Sequence, residues 1–197
     1  MSGCMKTVPQ SVLVLASSSP RRRQLLGSLG IGFEVIEPDS SAEDGRLADE
    51  TPEDYVCRLA VQKVRSAAGK ITACTVIGCD TVAVCNGNIL EKPNSLDDAR
   101  CMLKMLRGSE HAVLSGLCVL HQTPDNVCEC VRYAVTKLRM EAITDETLEN
   151  YLQTGAWQGK AGAFGYQDDN DWIQIIEGSE SNVVGFPLEL LQEMLTY

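Results

Sequence analysis

The sequence is short of histidine, of positive charge and of long apolar runs. Among 197 residues only two are histidine, and 17 Lys and Arg against 27 Asp and Glu give a formal net charge of −10. That balance argues against a general binder of nucleic acid or of anionic membrane surfaces. No apolar run approaches membrane-spanning length, and Val12–Ala16 is too short for the core of a secretory signal. We therefore expect a cytoplasmic protein with no nucleic-acid and no membrane partner.

The few histidines and the nine cysteines also narrow the catalytic options. His111 and His121 lie far from any Ser or Cys motif, and we interpret both as structural. Cys128 and Cys130 form the closest thiol pair, but no second pair at metal-ligand spacing accompanies them, which disfavours zinc. We expect the thiols to be reduced and mostly in the core. The Walker phosphate loop and the nucleophile elbow of serine hydrolases are both absent.

What is present is a basic turn near the start of the chain. The segment Ala16–Leu26 follows the aliphatic run Val12–Leu15 and continues into apolar residues at helical spacing, which predicts a strand, a hydroxyl-rich turn and a helix. Pro20 suits the first helical position. Arg21 and Arg22 oppose the helix dipole there, which favours a bound anion, and the guanidinium fork matches phosphate oxygens. A solvated basic turn is the alternative that this segment leaves open.

Two further elements carry charged residues at informative places. The capping pattern before Pro52 predicts a helix to about Ala68, and Lys63 late in that helix is explained by the helix dipole alone. Thr75–Thr81 is an apolar strand that we expect to end in an acid, Asp80. A carboxylate at such a place is seldom there for packing, since burying an unpaired charge is costly.

The rest of the chain alternates strands, helices and small-residue loops. Asn86-Gly87 predicts a hairpin turn, and Glu110–His121 and Val127–Met140 are two long strand candidates. Gly159–Gly165 and Gly178–Gly185 are interpreted as loops. With no repeat, low-complexity segment or linker, we expect one domain, or one domain with two lobes.

Together, these residues are of the types found in sites that bind a polyphosphate and a divalent metal ion. Cations and backbone N–H groups hold phosphates, carboxylates hold a hard metal, and an acid can orient or deprotonate water. Besides the basic turn, the charged candidates are Glu43, Lys63, Asp80, Lys92 and Lys160.

Six segments carry a resemblance to a known family, and they follow its order along nearly the whole chain. The segments are Leu15–Arg22, Arg58–Lys63, Gly78–Thr81, Leu90–Pro93, Gly159–Gln167 and Ser181–Leu188. With them, the chain resembles the Maf family of nucleotide pyrophosphatases, which is structurally related to the inosine triphosphate pyrophosphatases.

The resemblance implies that water attacks the α-phosphorus of a nucleoside triphosphate and releases the monophosphate and pyrophosphate. It implies an α/β fold in which residues 1–197 form a single domain, a two-lobed mixed sheet with helices on its faces and the active-site cleft between the lobes. The implied cofactor is a divalent metal cation, Mg²⁺ with Mn²⁺ or Co²⁺ as substitutes, and the implied assembly is a homodimer.

The resemblance also assigns roles at matching positions. Ser17, Arg21 and Arg22 would hold the triphosphate, and Lys63 and Lys92 would bind phosphate oxygens. Asp80 would act as the base or as a metal ligand. An acid of the loop Glu37–Glu50 would complete the metal site; we choose Glu43, with Asp44 as the substitute, because the order of acids departs from the family pattern.

The family divides by the base that its members recognise. Thr81 and Gln167 match the group acting on dTTP and UTP, whereas the group acting on 7-methyl-GTP carries other residues there. An amide can donate to and accept from the imide edge of thymine or uracil. Three alternatives stay open: the same reaction on another nucleotide, a nucleotide-binding regulator of cell division without turnover, and a hydrolase of the terminal phosphate.

Overall fold

The computed structural model describes residues 12–39, 45–71, 74–168 and 171–196, which form a mixed α/β fold around one sheet. The strands are β1 Val12–Ala16, β2 Glu34–Ile36, β3 Cys74–Cys85, β4 Asn88–Leu90, β5 Glu110–Gln122, β6 Val127–Met140 and β7 Ile173–Glu177. The sheet has the order β2-β1-β3-β5-β6-β7, and β4 pairs with β3 beside that path. β1 runs parallel to β2 and β3, whereas the other pairs are antiparallel. The predicted mixed sheet with helices is confirmed.

Most helices begin where the sequence places a capping residue. The helices are α1 Pro20–Gly27, α2 Pro52–Ala68, α3 Leu96–Leu106, α4 Asp145–Gln153, α5 Glu180–Val184 and α6 Leu188–Leu195. The side chains of Ser19, Thr51, Ser95 and Thr144 each accept a backbone N–H of the first turn. Such caps satisfy donors that no helical carbonyl can reach. Within the described residues, no helix combines the length and the apolar character needed to cross a bilayer.

The interpretation of Gly178–Gly185 as a loop was wrong, because it contains the short helix α5. Ser179 caps this helix, and Gly185 ends it in the left-handed conformation at φ 109°. The side-chain amide of the buried Asn182 donates to Val113 O at 3.1 Å and to Thr136 Oγ1 at 2.9 Å. A helix this short shows no usable apolar period in sequence, and these tertiary contacts hold it in place.

The prediction that a strand ends at Asp80 was also wrong. β3 continues to Cys85 because its antiparallel register with β5 is unbroken from Cys74 to Val84. The expected hairpin turn does follow β3, with Asn86 and Gly87 both at positive φ.

Two glycines let α2 lie close to the sheet. A Cβ at Gly78 would be 2.7 Å from Ala60 O, and one at Gly116 would be 2.2 Å from Val56 O. Any side chain at these places would push the helix away. The close approach brings the polar side chains of α2 to the level of Asp80.

The core is divided among four clusters. The largest lies among α3, α4, β4, β7 and the adjoining ends of β3, β5 and β6. Others lie on the two faces of the sheet around β1 and β3, between the sheet and either α2 or the pair α1 and α6. The expectation of mostly buried thiols holds only in part. Among the described residues, Cys74, Cys79, Cys85 and Cys118 are buried, whereas Cys101, Cys128 and Cys130 are exposed.

Candidate active site

The site forms at a gap in the pairing of β3. Pairing with β1 ends at Gly78, and pairing with β4 begins at Ala83. Between these points, one edge of β3 has no strand beside it in the described part of the chain. Asp80 and Thr81 lie on this open edge, and because they are adjacent, their side chains point to opposite faces of the sheet. A cleft can therefore reach both faces around one short stretch of backbone.

The larger cavity of the cleft, here called the main cavity, has a volume of about 340 Å³. That lies within the range of small-molecule sites, roughly 300–1,000 Å³. It brings together seven of the residues predicted from sequence. They are Ser17, Arg21, Arg22, Lys63, Thr81, Lys92 and Gln167.

The start of α1 supplies one wall of the main cavity. Ser17 is buried, and its Oγ accepts the Ser19 N–H at 3.1 Å, which shapes the turn between β1 and the helix. Arg21 lies half-buried and its Nη2 donates to Gly159 O at 2.6 Å. Burial and the neighbouring Arg22 lower the pKa of Arg21. Arg23 is exposed to solvent.

Arg22 both connects parts of the site by hydrogen bonds and brings a positive charge to the main cavity. Its side chain is buried; Nε donates to Gly185 O at 2.8 Å and Nη2 to Thr81 Oγ1 at 3.1 Å. The Thr81 hydroxyl also lies 2.8 Å from Ser115 Oγ. A guanidinium has five N–H donors. These two bonds therefore leave donors for a phosphate oxygen in the cavity.

On the opposite face of the sheet, Asp80 is paired with Lys63. The Lys63 ammonium donates to Asp80 Oδ1, and the side chains are 3% and 14% exposed. The explanation of Lys63 by the helix dipole alone was incomplete, because the residue is buried and its cation meets the carboxylate. Removing either partner would leave a desolvated charge.

A second cavity, of about 230 Å³, opens beside Asp80. It shares Thr81 and Lys92 with the main cavity, so the two are continuous around the edge of β3. Its lining includes Tyr55, whose hydroxyl donates to Glu91 Oε1. Burial, and then the Glu91 carboxylate, raise the pKa of Tyr55, so the hydroxyl stays protonated as a donor.

Sequence reasoning missed the pair formed by Tyr55 and Glu91. Glu91 was visible in the sequence only as part of the segment Leu90–Pro93, and nothing in the sequence marked Tyr55, which is buried in α2. A separation of 36 residues has no local sequence signal. The structure places both beside Asp80.

The acid predicted to complete a metal site, Glu43, and its substitute Asp44 lie outside the described residues. Gly45, directly after them, lines the second cavity. Within the described ranges, no group of three or more His, Cys, Asp or Glu is arranged to hold a metal. Asp80 and Glu91 do give the second cavity two carboxylates, and carboxylate oxygens are the donors that Mg²⁺ prefers. The donor chemistry present therefore fits a hard divalent cation.

The far wall of the main cavity comes from the loop between α4 and β7. Gln158–Ala161, Phe164, Gly165 and Gln167 line it. Gln167 is exposed at the mouth. The backbone N–H of Gly162 donates to Glu91 O at 3.1 Å, which ties this loop to the segment of Lys92.

A known family of proteins matches the chain along most of its length. The family model for Maf-like proteins matches residues 12–197. The chain belongs to this family. It is 46% identical over 189 residues to a dTTP/UTP pyrophosphatase of Rhodopirellula baltica, covering 95% of this chain and 82% of that protein. It is 43% identical over 181 residues to a dTTP/UTP pyrophosphatase of Geotalea uraniireducens, covering 91% of each.

A solved structure shows the same fold at much lower identity. A HAM1 protein from Coxiella burnetii matches with a TM-score of 0.50 and 12% identity, over 95% of this chain and 99% of that chain. The resemblance to the Maf family drawn from six short segments is thereby confirmed, and so is the expected fold.

Proposed function

We propose that this Maf-like protein is a nucleoside triphosphate pyrophosphatase that acts on dTTP and UTP. The observation that carries the proposal is the cleft around the open edge of β3, where an arginine-rich helix start and a lysine-paired carboxylate meet. The names of the relatives support the same reaction. The single domain would work as two lobes, with the core clusters on either side of the cleft.

The part of the cleft that would hold the triphosphate, here called the phosphate end, consists of Ser17–Arg22 with Lys63, Asp80 and Lys92. Arg21 and Arg22 supply planar forks for phosphate oxygens, and Lys63 and Lys92 supply point charges. Ser17 supplies a hydroxyl and fixes the turn from which the arginines project. Cations on both sides of β3 balance charge that spreads over the phosphates in the transition state.

Asp80 is the group that we assign to proton transfer. A water oxygen bonds to the α-phosphorus, its proton passes to Asp80, and pyrophosphate leaves with the electrons of the bond from the α-phosphorus to the bridging oxygen. Lys63 holds the carboxylate in place through their ion pair.

A divalent cation is the proposed cofactor: Mg²⁺, with Mn²⁺ or Co²⁺ as substitutes. Asp80 would be one ligand, Glu43 is the loop ligand proposed from sequence, and Glu91 is the further carboxylate at the same cavity. When bound, the cation would neutralise phosphate charge and help to orient the substrate.

The loop Gly159–Asp168, here called the base end, would receive the nucleobase. Gln167 is the proposed reader of the imide edge of thymine or uracil, with its amide donating to a carbonyl and accepting the ring N–H. The Thr81 hydroxyl is held by Arg22, Ser115 and Gly185. We therefore assign Thr81 to the cavity wall and to the placement of Arg22.

The remaining proposals concern partners and location. The net charge of −10 supports a protein without a nucleic-acid or membrane partner, in the cytoplasm.

A homodimer is supported by the outer edge of β6, since β7 pairs only with residues 137–140. Along the rest of that strand, Val127 and Tyr133 are 60% and 51% exposed. Long apolar strand edges of this kind favour pairing with another chain.

A panel of triphosphates with product identification tests the proposed function. With Mg²⁺ present, dTTP and UTP should yield monophosphate and pyrophosphate faster than ATP, GTP or 7-methyl-GTP. Release of orthophosphate and a diphosphate would indicate cleavage of the terminal phosphate. Tight binding without any product would indicate a regulator, and preferential cleavage of 7-methyl-GTP would overturn the assignment of the base.

A further inference from the structure

An ion pair inside the base end is not used by the reaction described above. Lys160 Nζ lies 2.5 Å from both carboxylate oxygens of Asp168, and the two side chains are only 11% and 15% exposed. The Tyr151 hydroxyl donates to Asp168 Oδ2 at 2.8 Å. Two donors, one from α4 and one from the loop, thus meet at one carboxylate directly after Gln167.

The pair packs against the backbone two residues before Gln167. A Cβ at Gly165 would lie 2.3 Å from Lys160 Nζ and 2.5 Å from Asp168 Oδ2. The Asp168 N–H donates to Gly165 O at 3.3 Å, which closes the turn that contains Gln167. The ion pair and the glycine therefore fix the shape of this turn together.

The pair also explains what Lys160 does. An ammonium has three N–H donors, and both carboxylate oxygens of Asp168 are within bonding distance of this one. Lys160 is thus engaged within the loop through Asp168. Its neighbour Gly159 accepts from Arg21, which joins the loop to the phosphate end.

We propose that Lys160 and Asp168 are positioning residues for base selection, which hold the turn Gly165–Asp168 so that the Gln167 amide faces a pyrimidine imide edge. The proposal rests on the proposed function, because it assumes that Gln167 reads the base. It adds that selectivity depends on an ion pair that does not touch the substrate. Gln167 is exposed and would otherwise sample several rotamers, so a fixed turn lowers the entropy lost when it binds the base.

The test is the substitution Asp168→Asn, which keeps the shape of the side chain and removes its charge. We expect the ratio of kcat/KM for dTTP to that for GTP to fall about tenfold, with the larger part of the change in KM for dTTP. Inhibition by inorganic pyrophosphate, which has no base, should stay as in the wild type. An equal loss of kcat for every triphosphate, with the ratio unchanged, would overturn the proposal.

A double-mutant cycle separates positioning from a general structural role. If Asp168 acts through Gln167, the combined Gln167→Ala and Asp168→Asn variant should have the same ratio as Gln167→Ala alone. Independent, additive effects would contradict the proposal. As a matched control, Glu177→Gln breaks the exposed ion pair with Lys137 at 2.7 Å and should leave the ratio unchanged.

A second variant and a binding measurement complete the test. If Asp168→Asn does not fold, Tyr151→Phe removes one hydrogen bond to the same carboxylate; a lowered ratio supports the proposal and an unchanged ratio contradicts it. The preference for dTTP over GTP is also measured by calorimetric binding in EDTA. A wild type that binds dTTP selectively in EDTA but releases no pyrophosphate once Mg²⁺ is supplied would refute the proposed function, while the effect of the ion pair on binding could still be measured.

Discussion

The two ends of the cleft are held together in different ways. At the phosphate end, Ser19 caps the helix that carries Arg21 and Arg22, so neighbouring residues set the backbone geometry. At the base end, a largely buried ion pair lies beside the turn around Gln167, and the loop is joined to Arg21 by a hydrogen bond between residues 138 positions apart. We therefore expect mutations to change the rate of hydrolysis and the preference for a base separately. Changes at the phosphate end should affect all triphosphates alike, and changes at the base end should alter their ranking.

The largest expected effect is at Asp80. Asp80→Asn keeps the shape but removes the proton acceptor and the charge facing Lys63, and we expect kcat to fall by about 10²–10⁴ on every triphosphate. Steady-state kinetics with Mg²⁺ measure it. Asp125→Asn, at an exposed position in the turn between β5 and β6, is the control and should match the wild type. An Asp80 variant within tenfold of the wild type would remove the role assigned to this residue.

The next largest effect is expected at Gln167 in the base end. Gln167→Glu removes the amide donor and places a charge opposite a carbonyl acceptor. The ratio of kcat/KM for dTTP to that for GTP should fall by an amount equivalent to roughly 2–5 kcal/mol, while pyrophosphate remains the product. If the ratio does not move, Gln167 is not the reader of the base.

A smaller effect distinguishes the three arginines. Arg21→Lys and Arg22→Lys keep the charge but lose the fork, and kcat/KM should fall about tenfold or more for all triphosphates. Arg22→Lys should also lower the melting temperature, because Arg22 is buried on Gly185 and Thr81. Arg23→Lys, at an exposed position, is the matched control. Equal losses at all three positions would indicate a diffuse basic patch.

A last effect is on stability and not on turnover, and it concerns the support of the base end. His111 is buried and packs edge to face on Phe164, which lines the main cavity, at 5.2 Å between ring centres. Burial lowers the pKa of His111 from 6.5 to about 4. The unfolded chain therefore binds its proton first, so this contribution to stability is full above pH 6.5 and is lost as pH falls towards 4.

At pH 4 the loss due to His111 should reach about 3 kcal/mol, since each unit of pKa is worth about 1.4 kcal/mol. Urea unfolding of the wild type and of His111→Leu between pH 7.5 and 4 measures it. The variant should show a weaker fall in stability with acid. Parallel pH profiles would show that His111 is not held neutral in the folded protein.

The contrast between local and long-range contacts explains what could be predicted from sequence. The strand, turn and helix around Arg21 and the capped helix at Pro52 were predictable, because caps, proline and apolar spacing act over a few residues. Lys160 was noticed in the sequence, but its ion pair with Asp168 forms in an aperiodic glycine-rich loop. The contact between Tyr55 and Glu91 depends on how close α2 lies to the sheet. Neither arrangement has a local sequence signal.

The expected end of a strand at Asp80 failed for a related reason. Apolar runs show where a strand can lie, but its length was set by pairing with β5 over the full stretch from Cys74 to Val84. The open edge that makes Asp80 accessible comes from the end of β1 at Ala16, opposite Gly78. The place of Asp80 at the open edge of β3 thus arises from the register of three strands.

Hydrolysis of dTTP in ¹⁸O-labelled water tests the central claim most directly, because it reports which phosphorus is attacked. Mass spectrometry of the products should find the label in thymidine monophosphate and none in pyrophosphate. The same distribution should be found for UTP, since both bases present the same imide edge. Label in pyrophosphate, or in orthophosphate released with a diphosphate, would contradict attack at the α-phosphorus in this cleft.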